Sequence, residues 1–223
     1  MSYFPNFAKA GLLRNGLRLA VLTAALALSA PAAQAATPAE SFVQSNVTKG
    51  LAILGNDSTP KEQKLTQFRS FLLGLTDLKR IAAYTLGPVK NSASPADLAA
   101  FEDAFRDYAF AVYETEFSKY SGQTLRVTGS VAHGENDWLV TTQLIDPHAQ
   151  SGQEPIEVDF RVFSNGGHFS VGDITVLGMD LAITEQDQFT SFLSQHNNDV
   201  KALTADLKQR AANVRANGSI SGN

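Results

Sequence analysis

The chain has 223 residues, a formal net charge of −4 and no cysteine. The lack of cysteine excludes disulfides, thiol nucleophiles and cysteine-ligated metals. An acidic chain without a basic cluster also argues against nucleic acid as the partner.

The first 35 residues have the features of a secretory signal peptide. Lys9, Arg14 and Arg18 precede a short apolar run over 19–30, and Ala33-Gln34-Ala35 fits a small-residue cleavage site. The run is too short to span a bilayer comfortably. We expect residues 1–35 to be cleaved, which leaves a soluble exported domain of 188 residues with a net charge of about −7. Without disulfides, that domain depends on burial alone for its stability.

Apolar residues at helical spacing predict four helices in the first half of the mature chain. The first two span about 41–54 and 60–73. The third is short and is capped by Thr76-Asp77. The fourth and longest begins at the cap Ser94, followed by proline, and runs to about Tyr120.

After Gly122 the apolar period changes to two, which is typical of strands with one apolar face. Four strands are predicted over about 124–131, 138–145, 156–162 and 168–176. Short turns such as Asn165-Gly166-Gly167 join them, as in an antiparallel meander.

A Gly-Met-Asp-Leu elbow then leads from the last strand into a helix that we expect Thr184 to cap. A final helix carries Val200, Leu203 and Leu207, and residues 215–223 are predicted to form a disordered tail. The fold class is therefore α+β, with one domain over 36–214 in which N-terminal and C-terminal helices cover a four-stranded antiparallel sheet. Such a sheet can close as a packed core or enclose an apolar cavity, and the pattern alone does not decide between them.

Motifs of known catalytic and metal sites are absent from the sequence, including G-x-S-x-G, the P-loop and H-E-x-x-H. The four histidines lack metal-ligand spacing, so we expect neither a metal nor a cofactor. Asp173 interrupts an apolar strand and has two interpretations. It is either a general base in a cone-shaped pocket, or a carboxylate that accepts backbone hydrogen bonds at the Gly178 elbow or caps a neighbouring helix. The second is favoured because no other titratable group is visibly paired with it.

The apolar residues on the predicted inward faces form either a core or a dry cavity for acyl chains. Burial of one methylene contributes ~0.8 kcal/mol, so a lipid site needs no polar motif. The candidate lipid-binding residues from the helices are Phe68, Leu72, Ile81, Tyr84, Phe101, Phe105 and Tyr108. Those from the sheet and elbow are Val127, Val140, Val158, Phe160, Val171, Val176 and Met179, with Phe189 and Phe192 closing one end.

Several segments resemble a known family. The run Gly172–Leu181 followed by Gln188-Phe189 resembles the "D-V-x-V-x-G-V-S-L … Q-F" signature of the periplasmic phospholipid-binding proteins of the Mla lipid-transport system, also called toluene-tolerance proteins. Upstream, Ile81–Gly87 and Tyr120-Ser121-Gly122 resemble that family's "A-x-x-x-L-G" and "Y-x-G" segments. The resemblance covers essentially the whole mature chain, in order.

The resemblance implies a monomeric periplasmic shuttle that carries phospholipid between the inner and outer membranes without covalent chemistry. Its partners would be an inner-membrane ABC lipid transporter complex and an outer-membrane lipoprotein–porin complex. The chain departs from the family at Pro88-Val89-Lys90 and Gln186, where arginines are usual, and at Asp180, where serine is usual. Such departures fit a divergent branch, for example one associated with hopanoid.

Three hypotheses remain open at the level of sequence. The lipid carrier is preferred. A small-molecule enzyme with Asp173 as general base needs a second polar group facing the same cavity. An exported structural or adaptor protein needs a solid core.

Overall fold

The computed structural model describes residues 35–150, 152 and 154–218, and within them the chain forms an α+β fold. The predicted signal peptide lies outside the described residues, apart from Ala35. The helices are α1 (Pro38–Leu54), α2 (Lys61–Leu75), α3 (Leu78–Thr85), α4 (Pro95–Phe117), α5 (Leu181–Gln195) and α6 (Val200–Asn217), with a 3-10 helix at Gly87–Asn91. The strands are β1 (Thr124–Gly134), β2 (Asp137–Ile145), β3 (Ile156–Asn165), β4 (His168–Val176) and β5 (Met179–Asp180). No described helix is both long enough and apolar enough to cross a bilayer.

Side-chain caps fix where the N-terminal helices begin. The Thr37 hydroxyl accepts the Glu40 N–H at 3.2 Å, and the Glu40 carboxylate accepts the Thr37 N–H at 3.0 Å. This capping box starts α1 three residues before the predicted Ser41. Asp77 caps α3 and Ser94 caps α4, as the sequence predicts.

The sheet is an antiparallel meander in the order β1-β2-β3-β4-β5. It has five strands rather than the four predicted, because Met179 and Asp180 pair back onto the end of β4. The connecting turn places Leu177 at φ 52° and Gly178 at φ 77°, the two positive φ values of a type I′ hairpin. A two-residue strand is too short to show a period of two in the sequence.

The cap of α5 differs from the one that the sequence predicts. Asp180, not Thr184, is the N-cap, and its carboxylate accepts the Ile183 N–H at 2.8 Å. Thr184 lies inside the helix and donates its hydroxyl to the Asp180 carbonyl at 2.7 Å. Strand β5 therefore passes into α5 with no loop between them. The first turn of α5 is apolar, so in the sequence it looks like a continuation of the strand.

The C-terminal helix is longer than predicted. Helix α6 extends to Asn217 and ends at Gly218 with φ 60°. Arg215 donates to the Asp107 carboxylate of α4 at 2.6 and 3.0 Å, which holds this last turn in place. Residues 215–217 are therefore helical rather than part of a disordered tail, and the remainder of that predicted tail, 219–223, lies outside the described residues.

The buried apolar residues divide into three clusters rather than one. The helical cluster joins α3, α4, α5 and α6 around Phe101 and Phe189. The sheet cluster packs α1 on β2 and β3 around Val140 and Val162. A third cluster lies between α2 and α4, around Phe68. The space between the helical cluster and β4 is where the candidate site lies.

Candidate functional site

A cavity of about 350 Å³ lies between α3, α4, β4 and the start of α5. Most of its wall is apolar and comes from Leu78, Ile81, Phe105, Val112, Val171 and Ile174. Pockets that bind small ligands have volumes of roughly 300–1,000 Å³. The cavity is therefore large enough to hold part of an apolar ligand.

Small residues and a bulge keep this space open. Ala109 of α4 and Ala182 of α5 line it, and neither side chain reaches across. Gly172 is an extra residue on β4, placed between the pairs Arg161↔Asp173 and Val162↔Val171, and such a bulge bends a strand. A Cβ at Gly172 would overlap the Phe163 ring, so this position requires glycine.

Asp173 joins the cavity wall to the first turn of α5. Its Oδ1 accepts the Ile174 N–H at 2.7 Å and the Ala182 N–H at 3.1 Å. Burial, helped by a hydrogen bond to the Asp180 carboxyl, raises the pKa of Asp173 to about 7, although these backbone donors oppose the shift. The backbone contacts match the capping interpretation of this residue.

Two tyrosines and a glutamate are further polar residues of the wall. Burial raises the pKa of Tyr108 to about 12, and burial together with the charges of Asp173 and Glu185 raises the pKa of Tyr113. Burial also raises the pKa of Glu185, while the Arg210 charge and a hydrogen bond from Tyr108 oppose the shift. Both phenols therefore stay neutral at physiological pH and can donate hydrogen bonds.

The structure brings only some of the predicted lipid-binding residues to this cavity. Four of them line it: Ile81, Phe105, Tyr108 and Val171. Phe101 and Phe189 are fully buried in the helical cluster, with Phe192 packed beside them. Val140 is fully buried in the sheet cluster, with Val127 and Phe160 at its edge. Phe68 and Leu72 belong to the cluster between α2 and α4.

The remaining predicted residues lie on strands or at the surface. Val158 and Val176 are half-buried and pair across β3 and β4. Tyr84 is 42% exposed and Met179 is 59% exposed, so the expectation that these two side chains lie inside is wrong. Tyr84 occupies the last turn of α3, and Met179 lies on the short edge strand, where no element covers it. The lipid-binding role of all these residues stays a prediction.

Sequence reasoning missed part of the cavity wall. Ala109, Val112 and Glu116 follow Phe105 at intervals of three or four along α4, so the helical period could have placed them on one face. Leu181 had no such signal, because the start of α5 was predicted four residues too late. Within the described residues, no group of three or more histidine and acidic side chains could hold a metal ion.

The fold and cavity define a class: α+β proteins in which helices cover an antiparallel meander and leave an apolar space against one strand. The family model described as "MlaC protein" matches residues 44–209. The chain therefore belongs to the MlaC family, which confirms the resemblance to the periplasmic phospholipid-binding proteins of the Mla system.

One solved structure is similar along nearly its whole length. It is a phospholipid-binding protein from Ralstonia solanacearum, determined in complex with a phospholipid, with a TM-score of 0.70 and 23% sequence identity. The match covers 80% of this chain and 99% of the other. The likeness confirms the α+β fold.

Proposed function

We propose that this protein is a periplasmic lipid carrier that buries acyl chain in the cavity between α3, α4, α5 and β4. The observation that carries the proposal is the cavity itself, about 350 Å³ with mostly aliphatic and aromatic walls. Membership of the MlaC family supports it. So does the similar structure that holds a phospholipid.

The volume sets how much lipid the cavity takes. A water-sized group occupies about 30 Å³, so the cavity holds roughly ten methylene-sized groups. At ~0.8 kcal/mol per buried methylene, these contribute on the order of 8 kcal/mol before the entropic cost of binding. This is enough for one acyl chain to bind without any polar contact, and the head group stays near water.

An aliphatic rim beside the cavity is where lipid would pass to and from a partner. Leu177, Met179, Leu181 and Ile183 are 62%, 59%, 39% and 46% exposed, and Leu181 also lines the cavity. We infer that an inner-membrane ABC lipid transporter complex and an outer-membrane lipoprotein–porin complex contact this rim in turn. The signal-like leader, which would direct the chain to the periplasm, supports the location that these contacts require.

Native mass spectrometry of the exported, mature protein tests the proposal. We expect adducts with phospholipid masses that disappear on denaturation, and the same lipids in a solvent extract of the sample. A protein that stays free of lipid after purification and after incubation with phospholipid vesicles would contradict a carrier function.

A further inference from the structure

The cavity is too small for a whole phospholipid. It holds roughly ten methylene-sized groups, and one acyl chain of a common membrane phospholipid is longer than that. Helices form one side of the wall and β4 forms the other, so separation of these two layers is the direct way to make more room. The contacts that join the helices to the sheet therefore control how much lipid enters.

Helix α3 and the residues before it contact the sheet at the edge of the cavity. Thr76 forms an isolated parallel bridge with Val171 of β4, and both residues line the cavity. The guanidinium carbon of Arg80 lies 4.0 Å from the centroid of the Phe163 ring on β3. Ile81, the next residue of α3, is part of the cavity wall. A movement of α3 away from the sheet would therefore open the cavity.

The Phe163 ring also contacts the bulge that shapes the cavity. It packs so closely against Gly172 that a Cβ at this glycine would overlap it, and Gly172 lines the cavity. Arg80, Phe163 and Gly172 thus connect α3 to β3 and to the bulged part of β4. Neither Arg80 nor Phe163 lines the cavity itself, so both act on its size from outside.

Arg80 is the more easily displaced of the two cations near this ring. Arg161 lies farther from the ring centroid, at 5.4 Å, and donates to the Asp137 carboxylate at 2.8 and 3.1 Å. The Arg80 side chain is exposed, and an exposed cation–π contact is weak enough to break and re-form. The contact between Arg80 and Phe163 can therefore open while Arg161 stays in place.

We propose that Arg80 and Phe163 form a clasp between α3 and the sheet, and that this clasp opens to admit lipids larger than the closed cavity. The inference rests on the proposed lipid-carrier function and adds how its cavity is entered. Both residues are positioning residues, because they act on the lipid through α3 and the Gly172 bulge. The clasp should slow the exchange of a diacyl lipid more than that of a lysolipid, which needs less additional space.

Release of a lysophospholipid and of a diacyl phospholipid with the same head group and the same kind of acyl chain tests the clasp. Release from the mature protein to acceptor vesicles would be followed for the wild type and for Arg80→Met, which keeps a long side chain and removes the guanidinium. We expect Arg80→Met to release the diacyl lipid about threefold faster, as the loss of an exposed cation–π contact allows. Release of the lysolipid should change much less.

Lys79→Met is the matched control on the same helix. The Lys79 ammonium lies 3.8 Å from the Glu102 carboxylate of α4 rather than against the sheet. Its replacement removes a cation from α3 without touching the clasp, so both release rates should stay at the wild-type values.

Phe163→Leu removes the ring from the other side of the contact. It should speed diacyl release in the same way as Arg80→Met. If the two side chains act through their mutual contact, the effects of Arg80→Met and Phe163→Leu do not add, and the double variant is no faster than the faster single variant.

A reversible cross-link tests the opening while the clasp is left intact. The chain has no cysteine, so Thr76→Cys with Val171→Cys introduces the one possible disulfide, between bridge partners. The oxidised form should take up the diacyl lipid about tenfold more slowly than the same protein after reduction, whereas uptake of the lysolipid should differ little.

The outcomes separate the clasp from the carrier function. If neither lipid binds the wild type, both fail. If both lipids bind but Arg80→Met releases the diacyl lipid at the wild-type rate, or Lys79→Met speeds it equally, the carrier function stands and the clasp is wrong. Equal acceleration of both lipids by Arg80→Met would indicate a general loss of stability and contradict the clasp, as would equal diacyl uptake by the oxidised and reduced forms. The Arg80→Met rates decide even if the disulfide does not form.

Discussion

Helices cover the sheet in two regions, one packed around the sheet cluster under α1 and one against β4 that leaves a cavity. Under α1, Phe42 and Trp138 lie with ring centroids 5.6 and 5.7 Å from that of Phe169, and the sheet cluster is a packed core. Against the Gly172 bulge of β4, the facing residues include Ala109 and Ala182, and a cavity of about 350 Å³ remains.

The difference shows that the volume of the facing side chains decides whether the helices pack directly against the sheet or leave a cavity. Both regions carry the same apolar periodicity, so hydrophobicity does not separate them. Protein interiors otherwise pack to crystal-like density, and a maintained void therefore implies a use. Substitutions at packed and at cavity-lining positions should therefore differ in their effects.

Truncation of a packed residue should produce the largest effect on stability. Phe189 is fully buried and meets the rings of Phe101 and Phe105 edge-on at 6.1 and 6.3 Å. We expect Phe189→Ala to lower the free energy of unfolding by about 3–5 kcal/mol, because it removes contacts on all sides and leaves a void. Urea denaturation measures this loss. Val112→Ala at the cavity should cost much less, and equal losses would contradict the contrast.

Enlargement of two alanines on α4 should have opposite consequences. Ala111 is fully buried in the helical cluster, whereas Ala109 lines the cavity. Ala111→Leu should destabilise the protein by about 1–3 kcal/mol through overpacking. Ala109→Leu should change the stability less and reduce lipid uptake, because the new side chain occupies cavity volume.

Denaturation and native mass spectrometry of both variants check this pair. Full lipid occupancy of Ala109→Leu would place the lipid elsewhere. A larger loss of stability for Ala109→Leu than for Ala111→Leu would show that the cavity is closed in solution.

Asp173 should make stability depend on pH in a defined direction. Its pKa is about 7 in the folded protein against an ordinary value of 3.8, so the folded state holds the proton more tightly. The stabilisation is complete below the unfolded pKa and is lost as pH rises through the folded pKa. Asp173→Asn cannot titrate, and its carbonyl oxygen can still accept from Ala182 and Ile174. Its free energy of unfolding should fall less than that of the wild type between about pH 4 and about pH 7.

Urea denaturation of both proteins across this range measures the difference. Glu185, whose pKa is also raised, is present in both proteins and therefore largely cancels from the comparison. Parallel pH profiles would contradict the raised pKa of Asp173.

The smallest effect is expected at the rim. Leu177 is 62% exposed at φ 52°, a conformation that suits asparagine or glycine better than leucine. Leu177→Asn should stabilise the protein by up to about 1 kcal/mol, because it relieves this strain. If the rim contacts partners as proposed, the same variant should slow lipid transfer to acceptor membranes in a reconstituted system. Thermal denaturation measures this change in stability. A loss of stability would contradict the claim that the Leu177 backbone is strained.

The sequence predicts much of the architecture because periodicity and caps are local signals. The element order, the meander and the caps at Asp77 and Ser94 follow from residues within a few positions of each other. The Asp180 cap and β5 do not, because a two-residue strand carries no period. The family, too, is visible in the short segments around Gly172 and Gly178.

The division between core and cavity is not a local property. Phe101 and Phe105 share one stripe of α4, yet Phe101 is fully buried and Phe105 reaches the cavity. Both rings meet Phe189, and what separates them is that Phe105 also lines the cavity beside the bulged strand at Gly172. Contacts between residues far apart in the sequence decide this difference. The helical pattern alone therefore predicts both Phe101 and Phe105 as lipid-binding candidates.

Quenching of tryptophan fluorescence by lipids brominated on the acyl chain tests the central claim most directly. Trp138 is the only tryptophan of the chain and lies beside Phe169 in the sheet cluster. Tyr113→Trp in a Trp138→Phe background places the fluorophore at the cavity wall instead. If the acyl chain occupies the cavity, the tryptophan at position 113 is strongly quenched and Trp138 of the wild type much less. Stronger quenching of Trp138, or none at position 113 while lipid is bound, would contradict this placement of the lipid.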